Sequence, residues 1–529
     1  MTRSIISEKF SAFFLLCMLC STGFTADKPN IIIFLADDLG YADIGVNGCK
    51  DIPTPNIDGI ANSGVRFTDG YATHCVCSPS RAGLMSGMYQ HRFGFEHNSG
   101  PERFADPNFG QPREVPTLAE KLKGAGYATG MIGKWHIGFK EGLRPQERGF
   151  DYHYGFLSGA HTYLAGRQDN DPIVRNGQPV KTTKYLTDEF ADEAVGFVER
   201  SKDKPFFLYF AFNAVHSPMD ENAYQDRFPE LAGKRKIFAG MLTALDTAIG
   251  RVMTKVKEIG QEDNTLVIFY SDNGGPTSDN SSLNTPLRGF KAQMFEGGIR
   301  VPFVMQWKGK IPSGRTYREM VMGFDCHTTA LAAAGIESGI GFQPVENSRQ
   351  AGSLSHGALD GVNLIPFING KQSGRPHEQL FWRAGQQHAA RVGDWKLVDT
   401  RIEPPMLFNL KEDISESKDL AATQPDKLKE LQSAFAEWEK GTKPALWVRQ
   451  DGRTEGIATK AKGKATSAAG SRIQEALKTA DKNGDGKLSQ EEYPQPAIFK
   501  DVDKDNDGFA TREEIQAYYQ ARRATTKKE

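Results

Sequence analysis

"NIIIFLADD", residues 30–38, sets an unbroken apolar run, Ile31 to Leu35, against two aspartates, Asp37 and Asp38. Alternation of apolar and polar residues would mark a strand with one wet face. A run that is apolar at every position marks a strand buried on both faces, as in a parallel sheet. The same form recurs at 128–132, 206–212, 266–270 and 301–306, and between these runs the segments 116–125, 187–200 and 239–259 carry apolar residues at helical spacing. Strands alternating with helices from residue 30 to about 375 predict an α/β fold, with a large mixed, mostly parallel sheet covered by helices.

The ends of the runs are polar. Asp37 and Asp38 follow the first, Lys134 and His136 follow 128–132, His216 follows 206–212, and Asp272 and Asn273 follow 266–270. Ligands of open α/β sheets bind at the carboxyl ends of the strands, so these clusters are expected to converge on one rim. Asp37, Asp38, Asp272 and Asn273 offer carboxylate and amide oxygens, which suit a hard cation such as calcium or magnesium. Taken singly, an aspartate after a strand more commonly caps a helix.

A second stretch, HCVCSPSRAGLMSG at 74–87, leads into helix-forming residues. Pro79 suits a first helical turn and so places Cys77 at or just before a helix N-terminus, where free N–H groups and the dipole attract anions. Arg81 adds a fixed cation on the same side, and Lys134, His136, His216 and Lys291 add further cationic or proton-transferring groups. The combination suits an anionic substrate group.

The remaining chain is modular. At 529 residues it exceeds one hydrophobic core, and 39% hydrophobic residues, 25% charged residues and a net charge of -1 describe a soluble globular protein with no basic excess for nucleic acid. Arg3 and Lys9, an apolar run at 10–19 and small residues after it read as a secretory signal peptide over 1–26, too short for a membrane span. Export to the periplasm or the extracellular space, without a transmembrane anchor, is therefore expected. Cys17 and Cys20 would leave with the signal. Cys49, Cys75, Cys77 and Cys326 remain, too few for a disulfide framework, with any pairing open.

An α/β domain at 27–375 would be followed by a smaller subdomain at 376–450, with antiparallel strands at 380–383, 390–392 and 395–398 and a helix at 419–440. Residues 451–470 have the composition of a linker. Within 471–525, DKNGDGKLSQEE (481–492) and DKDNDGFATREE (503–514) match the EF-hand calcium loop at every ligand position. The expected ligands are Asp481, Asn483, Asp485, the carbonyl of Lys487, Ser489 and Glu492, then Asp503, Asp505, Asp507, the carbonyl of Phe509, Thr511 and Glu514. Pro494 and Pro496 interrupt the helix that should leave the first loop. At millimolar calcium outside the cell the pair would serve structure or docking rather than signalling.

CSPSRAGLMSG (77–87), GKWHIG (133–138), SDNGG (271–275) and LRGFKAQMFEGGIRVP (287–302) together resemble the sulfatase family over residues 29 to about 450, and the region from YATGMIGKWHIGFKEG (127–142) through RGFDYHYGF (148–156) is most similar to its arylsulfatase B-like members. Ile137 stands where leucine is more usual. The resemblance implies an alkaline-phosphatase-like fold and a Cys77 oxidised to formylglycine (3-oxoalanine) by a dedicated generating machinery. It implies a calcium ion held by Asp37, Asp38, Asp272 and Asn273 with the modified Cys77. One hydroxyl of the hydrated aldehyde would attack sulfur, and deprotonation of the other would expel sulfate. Arg81 and Lys134 would position the hydroxyls, His136 would act as base for sulfate release, and His216 and Lys291 would contact the sulfate and the leaving oxygen, one as general acid. Ser158 matches a further sulfate contact more loosely. His91, His97, His153, His161 and Arg383 lie in loops where sugar contact and a structural role are both open. The implied substrate is a sulfate ester, of a carbohydrate or an aryl group. The alternatives are a phosphonate or phosphate monoester hydrolase of the same superfamily and an inactive calcium-dependent binding protein.

Overall fold

The computed structural model describes residues 28–99, 105–106, 108–167, 171–336 and 359–447, and further on 488–490, 492, 499–505, 507–511 and 514. The signal segment 1–26, the linker 451–470, and Asp481, Asn483, Asp485 and Lys487 lie outside the described residues. The chain divides into two compact units between residues 457 and 458.

In the first unit the apolar runs form strands, Asn30–Ala36, Ala128–Lys134, Phe206–Ala211 and Thr265–Ser271, all fully buried. They occupy the centre of a ten-stranded sheet. Its order is Arg315–Tyr317, Val65–Phe67, Phe303–Gln306, Thr265–Ser271, Asn30–Ala36, Phe206–Ala211, Ala128–Lys134, Tyr152–Phe156, Val174–Arg175, Gln178–Pro179. The five strands from Thr265–Ser271 to Tyr152–Phe156 are parallel to one another.

Period-two geometry sorts each run between two cores. Ile31, Ile33 and Leu35 join Leu84, Met85 and Leu122 on one face, and Ile32, Phe34 and Ala36 join Phe190, Leu245 and Val252 on the other. Helices Cys77–Ser86, Leu118–Gly124 and Asp325–Ala333 cover the first face, and Pro55–Asn62, Leu186–Arg200 and Gly233–Glu258 cover the second. Gly233–Glu258 has the length and composition to cross a membrane. Here Phe238, Met241, Leu242 and Ile249 pack it onto the sheet.

The run at 301–306 departs from the parallel expectation. As Phe303–Gln306 it pairs antiparallel with both Thr265–Ser271 and Val65–Phe67. The chain leaves Ser271 at the carboxyl rim and stays there through Lys291, so the next strand starts at that rim and must run back.

The smaller sheet is an antiparallel meander, Gln379–Ala384, Gln387–Val392, Trp395–Asp399 and Met406–Asn409, backed by helix Pro425–Glu439 through Leu431 and Phe435. Its fourth strand is only four residues long and follows Pro404–Pro405, so it carries little local strand signal. The helix starts at Pro425 rather than 419 because Asp419 instead accepts the N–H groups of Leu407 and Ala421. In the second unit Leu488–Ser489 pairs antiparallel with Phe509–Ala510 and so bridges the two acidic loops.

Candidate active site

The strands ending at Ser271, Ala36, Ala211 and Lys134 are consecutive and parallel, so their carboxyl ends share one rim. Across this rim lies helix Cys77–Ser86, with Cys77 as its first residue and every residue buried. Extended backbone at Val76 leads in, and Gly87 (φ 74°) ends the helix.

Cys77 Sγ lies 3.4 Å from Asp37 Oδ1 and 3.3 Å from Lys291 Nζ. Burial pushes its thiol far above the ordinary value, beyond what Lys134 and Lys291 offset. Asp37 pairs with Lys134 at 2.5 Å. Asp272 receives Arg81 through Nε and Nη2, at 2.9 and 2.8 Å, and Arg81 Nη1 donates to the Lys134 carbonyl at 2.8 Å. Burial, then the charge of Asp37, raises Asp272 to about 6, with Arg81 pulling the other way. Arg81 is wholly buried, and its planar fork fixes the carboxylate it holds.

Asp38 sits at φ 64°, a conformation that Asp tolerates better than most residues. It accepts Lys291 Nζ at 2.9 Å and Asn273 Nδ2 at 2.7 Å, and His216 Nε2 lies 3.6 Å away. Burial works against the charged form, but Lys291, His216 and Asn273 bring Asp38 down to about 2. His216 is lowered to about 4 by burial and by Lys291, and its Nδ1 faces the Ser217 carbonyl at 2.5 Å. Lys291 is raised well above its ordinary value, because Asp38 and Cys77 outweigh its burial. Of the two groups named as candidate acids, Lys291 therefore carries the proton at neutral pH.

These residues fit a hard cation. Asp37, Asp38, Cys77 and His216 place ligand atoms within 4.8 Å of one another. Asn273 Oδ1 is buried with no hydrogen-bond partner, a costly state for an amide oxygen unless an ion takes its lone pair.

His136 also has positive φ, 62°, and neither ring nitrogen finds a well-aligned partner. Burial, then Lys134 and Arg81, keeps it neutral, while the nearby Ser99 backbone weakly favours its cation. The ring fits because residue 159 is glycine. A Cβ there would stand 2.7 Å from both Cε1 and Nε2 of His136. Gly159→Ala is therefore expected to displace the ring and lower kcat/KM by about 100-fold, with thermal stability little changed. Steady-state kinetics beside a melting curve check this.

Three supports were not legible in the sequence. Asn280, fully buried, donates to the carbonyls of Asp38 (3.2 Å) and Val215 (3.0 Å), and so staples the Asp38 loop to the residue before His216. Ser271 Oγ accepts Leu39 N–H and donates to the Asn273 carbonyl. Asn98 Oδ1 accepts Ser78 N–H at 2.8 Å, capping the Cys77 helix from a distant loop. Nothing in the local pattern distinguishes Asn280 and Asn98 from other loop asparagines, or Ser271 from another serine that ends a strand.

The looser candidates are engaged elsewhere. Ser158 N–H donates to Asp171, and its Oγ to Ala160. His91 meets the Arg383 carbonyl, His161 Nδ1 meets the Thr162 carbonyl, and His153 is buried in its strand and lowered to about 3 by that burial. Arg383 pairs with Glu96 and Glu439, which clamps the 90s loop to the small sheet. Cys49, Cys77 and Cys326 are free thiols. In the second acidic loop Asp503, Asp505 and Asp507 cluster, Asp503 Oδ1 is buried without a partner, and Glu514 accepts N–H groups of Lys504 and Thr511. In the first, Glu492 accepts the N–H and hydroxyl of Ser489.

The sulfatase family model matches residues 29–336, and an EF-hand model matches 473–493. The N-acetylgalactosamine-6-sulfatase of Sus scrofa is 32% identical over 392 residues, covering 70% of this chain and 71% of that protein. The uncharacterized sulfatase YdeN of Escherichia coli (strain K12) is 29% identical over 515 residues, covering 80% and 87%. Among solved structures, Ps i-CgsB in complex with k-i-k-neocarrahexaose superposes with a TM-score of 0.73 at 35% identity, covering 80% of this chain and 95% of that one.

Proposed function

Because the chain belongs to the sulfatase family and is thereby a sulfuric ester hydrolase, we propose that it removes sulfate from a sulfated carbohydrate chain, with Cys77 as the precursor of the nucleophile. The observation that carries this reading is Cys77 at a helix N-terminus, within 3.4 Å of both a carboxylate and an ammonium group, on the rim where Asp37, Asp38 and Asn273 converge. Burial holds the Cys77 thiol above its ordinary range, so an unmodified thiol would be a poor nucleophile here. Formylglycine hydrate would supply two geminal hydroxyls, one to take the sulfuryl group and one whose deprotonation releases it.

Calcium, held by Asp37, Asp38, Asp272 and Asn273 with residue 77, would supply positive charge toward the sulfate oxygens. The chain's own groups do the rest. Lys134 and Arg81 fix Asp37 and Asp272 so that those carboxylates cannot turn away from the rim. Lys291 Nζ, protonated and 16% exposed at the mouth, is placed to give its proton to the leaving ester oxygen. His136, neutral and packed against Gly159, is placed to accept the proton from the second hydroxyl. Desolvation of the buried rim strengthens each of these interactions.

We further propose export, cleavage near residue 26, and structural calcium in the paired EF-hand loops. The relatives' names motivate the substrate class, since one is an N-acetylgalactosamine-6-sulfatase and another was solved with a neocarrahexaose.

Turnover of 4-nitrophenyl sulfate against 4-nitrophenyl phosphonate tests the reaction. A higher kcat/KM for the sulfate is expected, and phosphonate preference would overturn the assignment. Mass spectrometry of the peptide containing Arg81, from cells that possess the generating machinery, is expected to show the aldehyde. A thiol throughout would favour the inactive binding protein instead.

A further inference from the structure

His216 stands on a stretch, 213–220, whose shape is set largely from outside it. Asp37 N–H donates to the Ala214 carbonyl at 2.9 Å, and Val215 N–H donates to the Asp37 carbonyl at 2.8 Å. His216 N–H closes the turn on the Asn213 carbonyl at 2.9 Å, and Asn280 holds the Val215 carbonyl. Because His216 Nδ1 is tied to the carbonyl of Ser217, the ring turns with this backbone.

Tyr163 supplies the remaining hold on the turn. Its side chain is wholly buried, and its hydroxyl lies 2.5 Å from the Asn213 carbonyl and 2.8 Å from the His216 carbonyl, sharing one proton between them. Burial, then Tyr185, Asp37, Asp38 and Asp220, holds the phenol well above its ordinary value, so the hydroxyl keeps the proton it donates. The tyrosine is itself pinned. Its N–H donates to Asp220 Oδ2 at 2.8 Å, the oxygen that also accepts the Thr162 hydroxyl at 2.6 Å, and its carbonyl accepts Leu186 N–H at 2.8 Å. Asp220 comes four residues after His216, so Thr162 and Tyr163 grip the stretch on both sides of the histidine.

The neighbouring Tyr185 makes the contrast. Its ring stacks on that of Tyr163, centroids 5.5 Å apart at 18°, yet its buried hydroxyl finds no hydrogen-bond partner among the described residues. Packing accounts for both rings, and the hydroxyl of Tyr163 alone is directed at the turn. The same segment also reaches the other histidine of the rim, since the Leu157 carbonyl accepts His136 N–H at 3.0 Å and Gly159 packs on the His136 ring.

Resting on the sulfatase reading with His216 at the sulfate, we propose that Tyr163 is a positioning residue. Its hydroxyl fixes the 213–216 turn and through it the aim of the His216 imidazole, without meeting the substrate.

Tyr163→Phe keeps the ring and leaves two buried carbonyls short of a donor. Its kcat/KM for 4-nitrophenyl sulfate is expected to fall about 30-fold, the scale of a small misplacement in an active site. Tyr185→Phe, the matched loss of an unbonded hydroxyl, should stay within about twofold of the parent. In a His216→Ala background, Tyr163→Phe is expected to cost less than about threefold, because the ring it aims is gone. Asp220→Ala, which frees the Tyr163 backbone without touching its ring, should show the same dependence on His216 with a smaller loss, and it carries the test if melting curves show that Tyr163→Phe does not fold. An equal loss with and without His216, an equal loss in Tyr185→Phe, or full activity in folded Tyr163→Phe would each overturn the role. A His216→Ala variant as active as the parent would overturn the placement of His216 at the sulfate and the role of Tyr163 with it. A parent that released no sulfate from this ester or from sulfated oligosaccharides would overturn the sulfatase reading itself.

Discussion

Replacing Cys77 with alanine is expected to lower sulfate release by about 10⁴-fold or more while leaving the protein folded, a loss on the scale of removing a covalent nucleophile. Alanine keeps the helix start, and deleting one buried sulfur leaves only a small void. What would disappear is the side chain proposed as precursor of the nucleophile, whose Sγ stands 3.4 Å from Asp37 Oδ1 and 3.3 Å from Lys291 Nζ. Asp37, Asp38 and Asn273 remain, so calcium binding by titration calorimetry should persist in weakened form while turnover is lost. Single-turnover assays beside circular dichroism would show this. Unchanged activity in the alanine variant would place the chemistry elsewhere.

A second large effect is expected at Lys396, far from the reaction. Its Nζ lies 2.8 Å from Glu296 and 2.8 Å from Glu416, and all three side chains are fully buried. Glu296 also receives Arg300 and the Tyr71 hydroxyl, Arg391 donates to Tyr71 and to Asp69, and Arg300 closes the network onto Asp69. Three acidic and three basic side chains thus join the small sheet to the large domain. Lys396→Met fills the same volume but leaves two carboxylates facing each other without their cation. The expected cost is about 3–5 kcal/mol, the scale of breaking a buried pair from one side. Adding Glu416→Gln should recover much of it, which a double-mutant cycle from denaturant unfolding would measure.

The pH dependence has a definite sign. Burial, then Glu296, pushes Glu416 up to about 7 against the pull of Lys396, from an ordinary 4.5. Between those values the folded chain keeps a proton that the unfolded chain has lost, so this group's contribution falls as the pH rises through that window. Removing Lys396 extends the window upward. The variant's deficit should therefore be greatest near pH 8 and least near pH 5, and a flat deficit would place its cause outside this network.

Lys396 also shows where local reading stops. Glu296 and Arg300 stand in FEGGIRVP, a stretch read for its resemblance and for the nearby Lys291. Only in space do they meet Lys396, 100 residues on, and become a clasp between sheets. Arg383 is similar. Its sequence context leaves a sugar contact open, whereas in the structure its guanidinium is consumed by Glu96 and Glu439.

By itself the sequence determined the buried character of the central strands, the helices between them, the polar residues at the strand ends and the acidic loops near the C-terminus. These rest on short-range physics, namely apolar periodicity, preferences at helix starts and the oxygen spacing a cation demands. The tertiary structure decided the order of the strands, which sets the ends at Asp272, Asp37, His216 and Lys134 side by side, and the reversal of Phe303–Gln306. It also decided the stapling by Asn280 and the positive φ of Asp38 and His136. The reason is physical: these features depend on pairing and burial between residues far apart in the chain, and no local window contains both partners.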